Sequence, residues 1–128
     1  NEAMRLILEG ETRIRVLPHG PGLEIETAED AGPVDFSPLH MLAASLATCT
    51  ASVLLSWAMQ TRLAFEDLEL DLSWEYVDNP YRVGRYDLTL VWPSLPEDRH
   101  EAAIRAARHC AVEHSWSVPP EIGVGVGG

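Results

Sequence analysis

The chain has 128 residues, a mass of 14.1 kDa and a net charge of −11, from nine basic and twenty acidic side chains. Its 46% hydrophobic and 23% charged residues are typical of a globular protein and exclude disordered and low-complexity classes. Because phosphate contacts need a basic face and an anionic membrane surface repels an acidic chain, we expect neither nucleic acid nor a membrane as partner. All nine basic residues are arginine, so chemistry that depends on lysine is excluded.

The cysteine count and the N-terminal pattern indicate the compartment. Cys49 and Cys110 are too few for the disulfide framework of a small secreted protein. The first residues do not form the charged and then apolar pattern of a signal peptide, so we expect a cytoplasmic protein. We also expect residues 1–3 to be an artificial extension before Met4, and residues 1–128 to form a single domain.

The first third of the chain predicts three short β-strands followed by a long helix. Short runs of alternating aliphatic and polar residues, separated by glycine and proline, predict strands over Arg5–Glu9, Thr12–Leu17 and Leu23–Thr27. Ser37 is a good N-cap and Pro38 suits the first helical turn, where its missing N–H costs nothing. We therefore predict a helix that begins at Pro38 and continues to about Arg62.

The predicted helix has no residue of fixed charge between Phe36 and Thr61. A helix that is apolar on every side is either buried on every side or lies in lipid. Several hydroxyl side chains and the lack of flanking basic clusters argue against lipid. Small residues such as Ala43, Ala47 and Ala51 let another backbone approach closely. We predict a central helix covered partly by the same helix of a second subunit.

The rest of the chain predicts a hairpin, a second helix and a terminal strand. Asp67–Val77 and Arg82–Trp92 alternate apolar and polar residues around a turn, with Trp74 and Trp92 as cross-strand neighbours. Glu97–Val112 predicts an amphipathic helix with Cys110 on its inner face, and Val118–Ile122 predicts a short edge strand. The predicted fold class is α+β, an antiparallel sheet packed on two long helices.

The two cysteines allow two interpretations. Free cysteine is among the most buried residue types, so Cys49 and Cys110 could be inert core residues. A redox pair requires one nucleophilic thiol and a second thiol whose Cα lies within about 6 Å of the first. Two helices on one sheet can bring such distant residues together, so both interpretations stay open on spacing alone.

Two segments resemble the OsmC/Ohr family. The segment SPLHMLAASLATC, residues 37–49, is similar to the family motif in which a Ser-Pro or Asn-Pro pair starts a central helix that leads to a reactive cysteine. The segment AARHCAV, residues 106–112, is similar to the later helix with a second cysteine, and the order of elements agrees. The resemblance implies an intertwined homodimer with the Cys49 helix at its centre and the active sites at the interface.

The resemblance also implies the chemistry. Many members reduce organic hydroperoxides or hydrogen peroxide in defence against oxidative stress. Cys49 is then the peroxidatic thiolate, which becomes a sulfenic acid, and Cys110 is the resolving thiol that forms a disulfide with it. An external dithiol reduces that disulfide, and no cofactor is required.

The resemblance assigns the activation of the thiolate to an arginine from the N-terminal strands, held by a glutamate near the start of the cysteine helix. Arg13 and Arg15 lie in the matching region and share one face of their strand. The glutamate is absent, because Leu39 and His40 stand at the two positions where relatives carry it. His40 could orient or activate the thiol, a carboxylate elsewhere could replace the glutamate, or peroxidase activity could be weak or absent. His40 lies about 13 Å from Cys49 along a helix, so contact between them is expected only across a dimer.

Other constellations are weaker. His109, Cys110 and His114 have a spacing compatible with zinc, but no second close pair accompanies them, and we expect no metal. The alternatives to a peroxidase are a dimeric thiol redox protein with another substrate, and a dimeric protein that binds a small apolar ligand through inert thiols.

Overall fold

A computed structural model describes residues 4–8, 13–18, 25–28 and 37–128. The chain divides into two compact units, Asn1–Met41 and Leu42–Gly128. In the first unit, strands β1 (Met4–Leu8), β2 (Arg13–Pro18) and β3 (Ile25–Ala28) form an antiparallel sheet with β2 in the middle. The register places Arg15 opposite both Ile7 and Glu26. The three strands are confirmed, with each end within two residues of the prediction.

Helix α1 spans Pro38–Gln60, and the predicted cap at its start is confirmed. The hydroxyl of Ser37 accepts the backbone N–H of His40 at 3.3 Å. In return, the backbone N–H of Ser37 donates to His40 Nδ1 at 3.4 Å. This is the reciprocal arrangement of a capping box, with an imidazole in place of the usual glutamate.

The end of α1 is a Schellman motif built on a residue other than glycine. The N–H of Leu63 donates to the carbonyl of Ala58 at 2.8 Å, and the N–H of Arg62 donates to Met59 at 3.3 Å. Arg62 has φ 58°, the left-handed conformation that this motif requires and that glycine adopts most easily.

Strands β4 (Glu69–Val77) and β5 (Arg82–Val91) form the predicted antiparallel hairpin. Its register pairs Trp74 with Tyr86, so the expected pairing of Trp74 with Trp92 is wrong. The ladder ends at the pair Glu69 and Val91, which leaves Trp92 beyond the strand. Trp92 instead packs edge-on against Trp57 of α1, with ring centroids 6.1 Å apart.

The prediction of one continuous helix over 97–112 is wrong, because the segment is divided. A 3₁₀ turn (Glu97–Arg99) leads into helix α2 (His100–Ala107), and helix α3 (Ala111–Ser117) follows after a break. Cys110 lies in that break with extended backbone, φ −97° and ψ 119°, and its sulfur accepts the N–H of Glu113 as the N-cap of α3. Cys110 therefore ends one helical path and starts another, rather than lying on the inner face of one helix.

The edge strand predicted over Val118–Ile122 is also wrong, because residues 118–128 form neither helix nor strand. Pro119 and Pro120 provide no backbone N–H for a ladder, which explains why the apolar residues around them do not pair within the described chain.

One hydrophobic cluster joins α1, α2 and the segment after β5. Its buried members are Leu54, Ala58, Trp92, Leu95, Ala103 and Ala106. Trp92 is satisfied inside this cluster, because its indole N–H donates to the carbonyl of Ala64 at 2.9 Å. The cluster holds the middle of α1, where Cys49 lies, in one compact unit with α2 and the break that contains Cys110.

Helix α1 is long and apolar enough to cross a membrane by length and composition alone, a test that the core helix of a soluble protein also passes. Within the described chain, α1 leaves part of its uncharged surface exposed, including Leu42 at 39%, Leu55 at 40% and Met59 at 62%.

Candidate active site

The fold brings together two cysteines that are 61 positions apart in the sequence. Cys49 lies in the middle of α1, and Cys110 caps the start of α3. Both are free thiols, and their side chains lie near enough for each to shift the pKa of the other. A disulfide requires this proximity.

The environment of Cys49 favours its thiolate. The backbone N–H of Val112, at the start of α3, lowers the pKa of Cys49 most, and the Cys110 thiol lowers it further. The N–H of Ala111 contributes in the same direction, whereas burial of the sulfur opposes it. Hydrogen bonds to the charged form are one of the ways in which proteins lower a pKa. Among the described residues, these hydrogen bonds act on Cys49 without a guanidinium.

The environment of Cys110 favours its neutral thiol. Burial raises the pKa of Cys110 most, and the hydrogen bond with Cys49 raises it further. The N–H of Glu113 and the hydroxyl of Thr50 act in the opposite direction but do not reverse the shift. The pair is therefore asymmetric, with Cys49 as the stronger acid and Cys110 as the thiol that keeps its proton.

The two sulfurs also differ in access. Cys110 is fully buried, with 0% of its surface exposed. Cys49 is half-buried and lines an open cavity of about 400 Å³ together with residues of α1, of α2 and of the α2–α3 break. These include Ser52, Ser56 and Gln60 on one side and Ala106 and His109 on the other. A small molecule in this cavity reaches Cys49 and not Cys110.

The other predicted site residues lie in the first unit. The hydroxyl of Ser37 and Nδ1 of His40 are 2.7 Å apart, so this imidazole takes part in the capping of α1. Arg13 and Arg15 lie on β2, whose backbone is described, whereas their side chains lie outside the described part of the chain. The roles of Arg13, Arg15 and His40 therefore stay predictions.

Several groups near the thiols were not predicted from the sequence. The N–H groups of Ala111 and Val112 were assigned to the interior of a helix, where they would have been bonded to carbonyls. The one available signal was the spacing of Cys110 and Glu113, which repeats the cap-x-x-Glu pattern of a helix start with cysteine in place of serine. Thr50, which is buried and bonds to Cys110, carried no pattern of its own.

A second cavity of about 650 Å³ lies between the hairpin and the helices. Its wall includes Leu88, Ile104 and the stacked rings of Tyr86 and Trp116, whose centroids are 5.1 Å apart. Two ion pairs lie at this cavity. The nitrogen–oxygen distance is 2.7 Å between Arg85 and Asp87 and 2.5 Å between Arg108 and Glu113. The cavity thus combines an apolar wall with charges that are already paired.

Metal ligands are not grouped in the described residues. Over residues 4–8, 13–18, 25–28 and 37–128, no three side chains of His, Cys, Asp or Glu lie close enough to hold an ion together.

Comparison with known proteins gives one family and a set of similar folds. The family model for OsmC-like protein matches residues 29–124. The structure is similar to a Psychrobacter arcticus protein described as an osmotic stress induced and detoxification response protein, with a TM-score of 0.74 and 20% identity over 88% of this chain and 85% of that chain. No curated protein sequence matches the chain significantly.

Two further similar structures are described in terms of hydroperoxide resistance. The organic hydroperoxide resistance protein OsmC of Legionella pneumophila has a TM-score of 0.67 and 18% identity over 90% of this chain and 88% of that chain. The organic hydroperoxide resistance protein OhrB of Bacillus subtilis has a TM-score of 0.60 and 17% identity, over 88% and 90%. At this identity the likeness shows a shared α+β fold.

Proposed function

Because this chain belongs to the OsmC-like protein family, we propose that it is a thiol-dependent peroxidase that reduces organic hydroperoxides or hydrogen peroxide. The family and its hydroperoxide resistance proteins support a peroxide-related redox role. The single observation that carries the specific activity is the contact between an accessible Cys49 of lowered pKa and a buried Cys110 of raised pKa.

The asymmetry of the pair assigns one role to each sulfur. The Cys49 thiolate attacks one peroxide oxygen, the O–O bond breaks, and the other oxygen leaves as an alkoxide that takes up a proton to become an alcohol. Cys49 is now a sulfenic acid. The Cys110 sulfur then attacks the Cys49 sulfur, a disulfide forms, and the hydroxyl leaves with the Cys110 proton as water. An external dithiol returns both cysteines to thiols.

The start of α3 supports both steps. The N–H groups of Val112 and Ala111 stabilise negative charge on Cys49 before the attack, which increases the fraction of the nucleophilic thiolate at a given pH. Cys110 keeps its proton until Cys49 is oxidised, so the two thiols do not compete for the peroxide. The family resemblance further assigns Arg13, Arg15 and His40 to the activation of the thiolate.

The proposed working form is a homodimer in the cytoplasm. The similarity to two organic hydroperoxide resistance proteins supports a role in stress defence. The exposed uncharged surface of α1 is the surface that a second copy would cover.

Steady-state turnover tests the proposal. With cumene hydroperoxide and a dithiol in excess, the wild type consumes peroxide, and Cys49→Ser abolishes consumption. Cys110→Ser still forms one sulfenic acid per chain but no intramolecular disulfide. Serine is close to cysteine in size at both positions, and at position 110 its hydroxyl oxygen can replace the sulfur as the cap of α3, so we expect both variants to fold. Turnover by Cys49→Ser at the wild-type rate would contradict the proposal.

The cavity of about 650 Å³ favours one second candidate, binding of a small apolar ligand. Its wall of aliphatic and aromatic side chains matches the lining of small-molecule sites. The two candidates differ in the thiols, since a binding protein keeps both of them when peroxide is added.

A further inference from the structure

The proposed peroxidase chemistry needs a proton donor that the thiol pair does not provide. Breaking the O–O bond of an alkyl hydroperoxide releases an alkoxide, which is a strong base and therefore a poor leaving group unless it is protonated. A positioned acid that protonates such a leaving group accelerates the step by about 10²–10⁴-fold. Cys110 is poorly suited, because it is buried, and burial raises the pKa of its thiol.

One histidine, His109, lines the cavity at Cys49. Within the part of this cavity that the structure describes, the polar side chains besides Cys49 are Ser52, Ser56, Gln60 and His109. Hydroxyl and amide groups do not exchange protons readily near neutral pH, whereas imidazole both accepts and releases a proton in that range. His109 is exposed, so solvent can return the proton that it gives away.

The backbone holds His109 at this cavity. The residue lies in the break between α2 and α3, directly before Cys110, and its N–H donates to the carbonyl of Ala106 at 3.0 Å. The same break places Cys110 against Cys49, so the position of His109 relative to the reactive sulfur is set by the fold and not by a flexible loop.

We propose that His109 is the general acid of the peroxidase reaction, which donates its proton to the alkoxide leaving oxygen while Cys49 attacks the other oxygen. The proton passes from the imidazolium to the leaving oxygen, the alcohol departs, and His109 takes up a proton from solvent. This inference rests on the proposed peroxidase function.

The test compares two peroxides that differ in their leaving groups. With tert-butyl hydroperoxide the leaving group is an alkoxide that needs a proton, whereas with peracetic acid it is acetate, which is stable without one. Formation of the Cys49 sulfenic acid is measured in stopped flow, in a Cys110→Ser background that prevents the second step. His109→Gln keeps a polar side chain of similar size but transfers no proton.

We expect His109→Gln to slow the reaction with tert-butyl hydroperoxide about 10²-fold and to leave the reaction with peracetic acid within about twofold of the parent. Free imidazole should restore part of the rate in His109→Ala, because the cavity is open. His114→Gln is the matched control, since His114 is also exposed, lies on α3 and does not line this cavity.

Three outcomes overturn the inference. Unchanged rates in His109→Gln mean that the imidazole takes no part, and equal losses with both peroxides mean that it acts only through structure. If the parent reacts with neither peroxide faster than a free thiol does, the proposed function itself fails, and the inference fails with it.

Discussion

Cys49 and Cys110 are chemically alike but lie in different surroundings, and that difference favours Cys49 as the thiol that reacts first. Cys49 faces two backbone N–H groups and a cavity, whereas Cys110 is enclosed and bonded to Thr50 and Glu113. Sulfur chemistry follows thiolate character and access, and both favour Cys49.

The pH dependence of alkylation tests this difference directly. In Cys110→Ser, where only Cys49 reacts, we expect the iodoacetamide rate to rise with the thiolate fraction and to reach half its maximum at a lower pH in the folded protein than in the unfolded chain, where a free thiol has a pKa of roughly 8.5. The same protein in denaturant provides the control and should have its midpoint near that value. A midpoint in the folded protein at or above the denatured one would contradict the assignment.

The pH dependence of the free energy of unfolding of the same variant tests the lowered pKa of Cys49 independently. Because folding lowers the pKa of Cys49, its thiolate stabilises the folded state fully above the unfolded pKa. That contribution is lost as the pH falls through the folded pKa. The double variant Cys49→Ser/Cys110→Ser lacks this thiol and serves as the reference. In urea unfolding, the free energy of unfolding of Cys110→Ser should therefore exceed that of the double variant by more at pH 9 than at pH 6.

The sequence predicted single residues well where a local rule applies. Ser37 before Pro38 is a recognised helix start, and the hydrogen bond to the N–H of His40 confirms it. The partner of Trp92 was not predictable, because it depends on where the hairpin ladder ends and on how α1 packs. The groups that bond to Cys49 were hidden for a similar reason, since they are backbone N–H groups and carry no residue signature.

At the scale of elements, the break between α2 and α3 is what the sequence did not predict. Glu97–Val112 has an amphipathic pattern and no glycine or proline, so periodicity alone favours one helix. The chain breaks because tertiary contacts hold Cys110 extended beside Cys49, and its sulfur then caps α3. Tertiary packing overrides helix propensity, which is a weak determinant at any single residue.

The cap formed by Cys110 gives a stability prediction. Cys110→Ala removes the acceptor for the N–H of Glu113, whereas Cys110→Ser keeps one. We expect the alanine variant to be less stable than the serine variant by about 1 kcal/mol, the typical value of an N-cap side chain. Urea denaturation checks the difference, and equal stability would show that the sulfur does not act as a cap.

The end of α1 gives a second stability prediction. Arg62 has φ 58°, which costs energy for any residue with a Cβ atom. Arg62→Gly should be more stable than Arg62→Ala by about 1 kcal/mol, because both lack the charge and only glycine adopts this conformation without strain. A stability order with alanine above glycine in thermal unfolding would contradict the Schellman end of this helix.

At the scale of the whole molecule, the order of the five strands and of α1 followed from the sequence, because alternation and glycine-proline turns mark them. The second predicted helix is divided, and the predicted terminal strand is absent from the described residues. The α+β class and the OsmC-like fold were confirmed. The single domain over residues 1–128 and the dimer stay predictions.

The uncharged surface of α1 predicts the oligomeric state. If a second copy covers this helix, Met59→Glu buries an unpaired charge in the interface and shifts the protein towards monomers, with at least a tenfold weaker dimer constant. Sedimentation velocity at micromolar concentrations measures the shift. Ile104→Glu is the control, because Ile104 is 57% exposed but lies on α2, and it should leave the constant unchanged. A folded wild-type monomer at these concentrations would refute the dimer.

The most direct measurement is a count of thiols after one equivalent of an organic hydroperoxide, followed by the intact mass of the chain. We expect both thiols to disappear together, the chain to lose two hydrogens, and a peptide map to join Cys49 to Cys110. If both thiols persist after excess peroxide, the two sulfurs are packed side chains and the protein is not a thiol peroxidase.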